Sequence, residues 1–267
     1  MRLSSSIGVL PIISRMLPKT GARGVIAVSL RLVPRGARRG RTRPMQWRPP
    51  ADADGLVLEV HAGVLELRAR DDRPGTGIHV DLAAIDARGL SRTPLVRAMG
   101  GRVRTVADAT AGLLGDAWML ALAGFEVTAF ERSPAVARLC RDGLERAAGD
   151  PRIDRAALAR LRFEESDACA ALAPGSFDAV LVDPMFPPKR RASALPRKEV
   201  QVLRAAVGDD PDAVDLLAAA RRAARVRAVV KRADDAPVLA DAPSIQAEGR
   251  TVRFDVYLAA PAPEAAP

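Results

Sequence analysis

The sequence of 267 residues predicts an α/β fold: a mostly parallel sheet with helices on both faces and an antiparallel strand near its end. Three observations lead there. Val103 to Gly112 reads as a strand entering a small-residue turn, and Ala117 to Ala123 as the helix that follows, stopped by Gly124. Strand and helix patterns then alternate as far as residue 231. Acidic residues stand where successive predicted strands end, at Asp108, Glu131, Asp167 and Asp183. In open α/β sheets, that edge is where ligands bind.

Residues 1–54 read as a basic, disordered tail and linker, the stretch 36–54 being rich in Arg, Pro and Gly. Residues 1–50 hold eleven Lys or Arg and no acid, so of the formal net charge of +9 the rest carries −2, nine less eleven. Three readings compete for this tail. It is an arm adding non-specific attraction to RNA, an organelle transit peptide, or an over-long start; Arg- and Ala-heavy usage throughout the chain weakens the second. Arg15 interrupts the apolar stretch Ile7 to Met16, so no secretory signal fits. No run approaches the roughly 20 apolar residues of a membrane span. A cytoplasmic location without membrane contact is expected.

Residues 55–100 form a small N-terminal α+β segment. Leu56 to Asp81 alternates apolar and polar residues, broken at Asp72-Arg73-Pro74-Gly75, which predicts a hairpin. Leu90 to Met99 predicts a helix ended by Gly100-Gly101. The main domain spans 101–260, with 261–267 as a flexible end. Within it, Glu126 to Phe130 is a strand ending in Glu131, and Ala135 to Ala148 a helix with Ser133 as N-cap and Pro134 in its first turn. Arg152 to Arg160 is helical, and Leu161 to Phe163 is a strand leading to Ser166-Asp167. Phe177 to Val182 is a buried strand, Asp212 to Arg225 an amphipathic helix and Val226 to Lys231 another buried strand. Arg250 to Leu258 closes the chain as an edge strand. The two cysteines, Cys140 and Cys169, and the two histidines, His61 and His79, show no metal-ligand spacing. They read as reduced buried thiols and structural imidazoles; no metal is predicted, and no oligomeric state.

A strand, a glycine turn and a helix N-terminus bring free N–H groups close to a ligand. An acid roughly 20 residues beyond such a turn binds ribose hydroxyls in nucleotide-binding folds, and Glu131 stands there. The glycines do not follow the dinucleotide pattern Gly-x-Gly-x-x-Gly. Asp108, just before the turn, repels a pyrophosphate but attracts a sulfonium or an ammonium. S-adenosylmethionine is favoured over NAD.

The most informative stretch is Asp183-Pro184-Met185-Phe186-Pro187, at the end of a buried strand. An Asp-Pro turn is commonly no more than a turn. Beside a cofactor turn, however, the group suits gripping a flat heterocycle by its exocyclic amine. Asp183 accepts one amine N–H, a turn carbonyl accepts the other, and Phe186 stacks on the ring. The long basic connection Pro187 to Arg197 has the character of a lid or substrate clamp. Lys189, Arg190, Arg191, Arg197 and Lys198 are candidate phosphate contacts, with Lys231 and Arg232 as second-rank ones.

Asp108-Ala-Thr-Ala-Gly112-Leu, Phe130-Glu131-Arg132-Ser133-Pro134, Asp183-Pro-Met-Phe-Pro187, Ser193-Ala194-Leu195 and Arg253-Phe254-Asp255-Val256-Tyr257 occur in that order. Together they closely resemble the bacterial small-subunit ribosomal RNA methyltransferase J family, over about residues 55 to 260. The resemblance implies a class I, Rossmann-like methyltransferase fold. It also implies S-adenosylmethionine as methyl donor and the N2 amine of one guanine of 16S RNA, free or in the small subunit, as acceptor. Family cofactor contacts fall on Gly115, Asp116, Glu131, Arg132, Ser166, Asp167 and Asp183; Asp108 and Gly112 join them from the turn reading, and Asp183, Pro184 and Phe186 are the catalytic candidates. Leu114 and Gly115 stand where the family usually has Gly and Arg. Two alternatives stay open: methylation of another planar amine, such as adenine N6 or a glutamine amide, and a non-catalytic RNA-binding assembly factor.

Overall fold

The structure, a computed structural model, describes residues 55–185, 198–208 and 210–259. Strands β1 (Leu56–His61) and β2 (Val64–Ala69) pair antiparallel around Ala62-Gly63, with φ of 51° and 82°. The hairpin turn therefore lies upstream of the predicted break at 72–75, because an alanine at positive φ carries no turn signal. The chain bends at that break instead and brings Ile78 back to Leu67, where the two exchange backbone hydrogen bonds of 2.9 and 2.8 Å. The predicted helix from Leu90 is a 3-10 turn, Leu90–Arg92, followed by α1 (Pro94–Met99). Thr93 Oγ1 accepts the Val96 N–H, and Pro94 fits the first helical position, where a missing N–H costs nothing.

The main sheet follows in alternation. Its elements are β3 (Thr105–Asp108), α2 (Gly115–Leu122), β4 (Glu126–Glu131), α3 (Pro134–Gly149), α4 (Arg155–Ala159), β5 (Leu161–Glu165), α5 (Ala168–Ala171) and β6 (Phe177–Val182). After it come α6 (Lys198–Val207), α7 (Ala213–Ala223), β7 (Ala224–Ala233), β8 (Ile245–Glu248) and β9 (Val252–Leu258). Strand order is β5-β4-β3-β6-β7-β9-β8; the first five are parallel, and β9 is antiparallel to both its neighbours. The expected edge strand β9 is thus an inner one. The edge is β8, whose largely exposed Ile-Gln-Ala-Glu carries too little alternation to announce a strand. Helix α6 likewise has no counterpart among the predicted elements; its first residue, Lys198, figures there only as a candidate phosphate contact.

The sheet is buried on both faces. On one, α1, α2 and α3 cover Val106, Leu181, Val229 and Phe254; on the other, α7 covers Val180, Val182 and Val230. The N-terminal hairpin joins the first core through Leu58 and Leu67 and packs on α3. Arg146 Nη2 donates to the Val80 carbonyl at 2.5 Å, and Gly143 leaves room for the Val80 side chain, into which an added Cβ would run. Residues 55–100 therefore share one core with the sheet. Among the described residues, no helix is long and apolar enough to cross a membrane.

Candidate active site

After β3 the chain turns toward β4, while β6 lies on the other side of β3. This is a topological switch point, and it sets the C-terminal ends of β3 and β6 side by side. Asp108 stands opposite Leu181 in the ladder, so Asp183 emerges two residues beyond. The Asp183 N–H donates to Thr110 Oγ1 at 2.7 Å, which fastens the Asp183 turn directly to the cofactor-side turn.

Charge is unbalanced here. Asp108 is 2% exposed and accepts the Thr110 N–H at 3.1 Å. Burial, with Asp116 and Asp183 nearby, pushes its carboxyl up to about 7, against the opposing pull of that hydrogen bond and of Lys231. Lys231 Nζ pairs with Asp116 at 2.6 Å and Asp183 at 2.9 Å. Burial works against its charge, but the two carboxylates outweigh it and hold the ammonium above its usual range. Burial raises the Asp183 carboxyl; Lys231 opposes this, and Asp116 and Asp210 reinforce it. Three carboxylates thus share one ammonium.

A cavity opens beside this group. Gly112, Glu131, Arg132, Asp167 and Asp183 all line it, together with Thr110. Glu131 is buried; one oxygen accepts the Gly112 N–H at 3.0 Å and the other the Ser133 N–H at 2.8 Å. Burial raises its carboxyl, and those two donors oppose the rise. Gly112 has φ of 51°, which a glycine adopts freely. Arg132 forks onto Asp210 and Asp212 and is held above its usual range, chiefly by the Asp212 hydrogen bond. Asp167 caps α5 by accepting the Cys169 N–H at 2.9 Å. Asp108, Gly115, Asp116 and Ser166 do not line the cavity. Asp108 adjoins it through Thr110, Gly115 opens α2, Asp116 is linked to it through Lys231 and Asp183, and Ser166 keeps a buried Oγ without a hydrogen-bond partner among the described residues.

The structure redirects two expected RNA contacts. Lys231 is spent on Asp116 and Asp183, and Arg232 is 6% exposed with Nη2 on the Pro237 carbonyl. Pro184 is buried beside Asp183. Phe186, Lys189, Arg190, Arg191 and Arg197 lie outside the described residues, and Lys198 is described only as the start of α6. Sequence reading missed Thr110, Asp210 and Asp212. Thr110 lay inside the quoted turn motif; the two aspartates had no local signal, since they meet Arg132 across 78 and 80 residues.

The cavity fits S-adenosylmethionine. Its carboxylates outnumber its cations on the side of Asp108 and Asp183, which suits a ligand carrying an ammonium and a sulfonium. Glu131 and Asp167 offer acceptors at successive strand ends for hydroxyl and amine donors. Fold and site together define a class I S-adenosylmethionine-dependent methyltransferase. The model of the SAM-dependent methyltransferase family matches residues 45–259. Ribosomal RNA small subunit methyltransferase J of Aeromonas salmonicida is 43% identical over 208 residues, 73% of this chain and 83% of that protein. The protein of the same name from Thioalkalivibrio sulfidiphilus is 44% identical over 218 residues, covering 76% and 84%. A crystal structure of a SAM-dependent methyltransferase from Neisseria gonorrhoeae superposes with a TM-score of 0.60 at 33% identity, covering 81% of this chain and 87% of that one. The chain belongs to the ribosomal RNA small subunit methyltransferase J family.

Proposed function

We propose that this chain methylates the exocyclic N2 amine of one guanine in 16S ribosomal RNA, as free RNA or within the small subunit, in the cytoplasm. The observation that supports this best is the Asp183 carboxylate at the cavity wall. One of its oxygens is held by Lys231, and the other has no partner among the described residues. The relatives' names give ribosomal RNA of the small subunit as their substrate.

S-adenosylmethionine supplies a methyl group already activated on a cationic sulfur. On this reading Asp108 and the Gly112 turn hold its amino-acid end, Glu131 its ribose, and Arg132 and Asp167 its adenine. The guanine amine is a poor nucleophile because its lone pair is delocalised into the ring. Asp183 and the Pro184 or Met185 carbonyl each accept one amine N–H, which turns the lone pair toward the methyl group. They also stabilise the positive charge growing on nitrogen. Lys231 favours the ionised form of Asp183, in which both oxygens are acceptors and carry the negative charge. No strong base is needed, since the methylated nitrogen releases its proton readily. The base must leave its stack to reach the site. Phe186 then offers a stacking surface worth about 1–3 kcal/mol, and Lys189, Arg190, Arg191, Arg197 and Lys198 hold neighbouring phosphates.

Mass spectrometry of 16S RNA from a deletion strain tests this. Loss of N2-methylguanosine at one position, restored by the wild-type gene, is expected. A normal level in the deletion strain rejects the reading.

A further inference from the structure

We infer that Asp210 is a positioning residue for methyl transfer, aiming the Pro184 carbonyl at the acceptor amine. The inference rests on the function proposed above. Asp210 lies between α6 and α7 with a side chain 12% exposed, and its two oxygens serve two different walls of the cavity. Oδ2 accepts the Met185 N–H at 2.6 Å. Oδ1 accepts from Arg132 Nη2. Arg132 follows β4 and Met185 follows β6, strands kept apart by β3, so this one carboxylate braces groups that the sheet itself does not join.

The backbone explains why the brace matters. Asp183 gives its N–H to Thr110, and Pro184 has no N–H to give. The next donor in the turn is Met185, and Asp210 takes it. A peptide unit is planar and trans, so its N–H and C=O point in opposite directions. Holding the Met185 N–H toward Asp210 therefore fixes where the Pro184 carbonyl points. Among the described residues, Thr110 and Asp210 are the side chains that accept the backbone N–H groups of the turn presenting Asp183. Without the second, the Pro184–Met185 unit is free to rotate, and one of the two acceptors for the amine is lost from its place.

The test is steady-state kinetics on 16S RNA or small subunits, with Kd for S-adenosylmethionine measured separately. Asp210→Ala is expected to lower kcat about 10- to 100-fold, the scale on which small misplacements act, while RNA KM and cofactor Kd stay within about threefold. Asp210→Asn keeps an oxygen for Met185 and is expected to recover most of the lost kcat. Met185→Pro deletes the same hydrogen bond from the donor side, and it decides the matter if Asp210→Ala does not fold. Combined with Asp210→Ala it should cost no more than either change alone. Asp212→Ala removes the other partner of Arg132 without touching the turn, and a smaller loss of kcat is expected.

Asp210→Ala or Met185→Pro turning over within twofold of wild type overturns the inference. So does an Asp212→Ala loss equal to that of Asp210→Ala, which would make Asp210 an anchor for Arg132 alone. A wild-type protein that methylates no 16S RNA rejects the proposed function instead. An active wild type with indifferent Asp210 variants rejects only this inference.

Discussion

Strand β6 carries an aspartate near each end, and the two live in opposite circumstances. Asp178, near the N-terminal end, accepts the Arg104 and Thr105 N–H groups on one oxygen, at 2.9 and 3.0 Å. Its other oxygen accepts Arg225 Nε and Nη2 at 3.1 and 2.9 Å. Four donors meet the roughly four lone-pair sites that a carboxylate offers. Burial raises the Asp178 carboxyl, but these donors outweigh it and hold it at about 2. Asp183, past the C-terminal end, has Lys231 on one oxygen, an open second oxygen among the described residues, and a carboxyl raised rather than lowered. A saturated carboxylate holds strands together. One with spare acceptor capacity beside a cavity is available to a ligand.

The largest effect that tests this contrast is on turnover. Asp183→Asn should lower kcat about 100- to 1,000-fold, the usual loss when one group facing developing charge is removed. Asp178→Asn should leave it within about twofold, as read by methyl incorporation into 16S RNA. Equal losses would erase the distinction. Lys231→Met removes the cation that opposes protonation of Asp183, so the acidic limb of the pH–rate profile should move to higher pH. Lys231→Arg should restore it toward wild type. An unmoved limb would show that Asp183 does not control the rate.

Stability should move in opposite directions at the two ends. Folding raises the Asp108 carboxyl from 3.8 to about 7, so the folded protein binds that proton more tightly than the unfolded chain. Stability then falls as pH rises from about 4 to 7. At pH 8 Asp108→Asn should stabilise the ligand-free protein by roughly 2–4 kcal/mol while cofactor affinity collapses, and below about pH 4 the gain should vanish. Asp178 is lowered from 3.8 to about 2, so its contribution is present above about pH 4 and lost as pH falls through 2. Asp178→Asn should cost about 2 kcal/mol at pH 7 and progressively less below pH 4. Urea unfolding across pH reads both. A destabilising Asp108→Asn at pH 8 would contradict the unbalanced charge described at the site.

What the sequence disclosed follows from which interactions are local. The alternation of strand and helix, the glycine turn and the acids at or just past strand ends are properties of short windows, and they sufficed for the fold class. Nothing local separates Asp178 from Asp183, because their partners come from 47 residues and more away. The same holds for Lys231, read as a phosphate contact and found between two carboxylates, and for Asp210, invisible until the register of β3 and β6 is known. Ala62 at positive φ and the short polar β8 were missed because their conformations are imposed by neighbours rather than by their own preferences.

The active end differs from the other in backbone strain as well, and the smallest predicted effect concerns it. Leu114 caps α2 with φ of 63°, one of two non-glycine residues at positive φ among those described. A left-handed conformation costs an ordinary residue about 1–2 kcal/mol. Yet the Leu114 side chain is 0% exposed in the main core, and burying a leucine contributes about 1.5–3 kcal/mol. Burial offsets the strain, so a leucine can hold this left-handed position. Leu114→Ala keeps the strain and loses the packing, whereas Leu114→Gly loses the packing and releases the strain. Glycine should therefore be the milder change, by about 1 kcal/mol in urea unfolding, although glycine is ordinarily the worse residue at a helix. An alanine variant at least as stable as the glycine variant would show that the turn carries no strain.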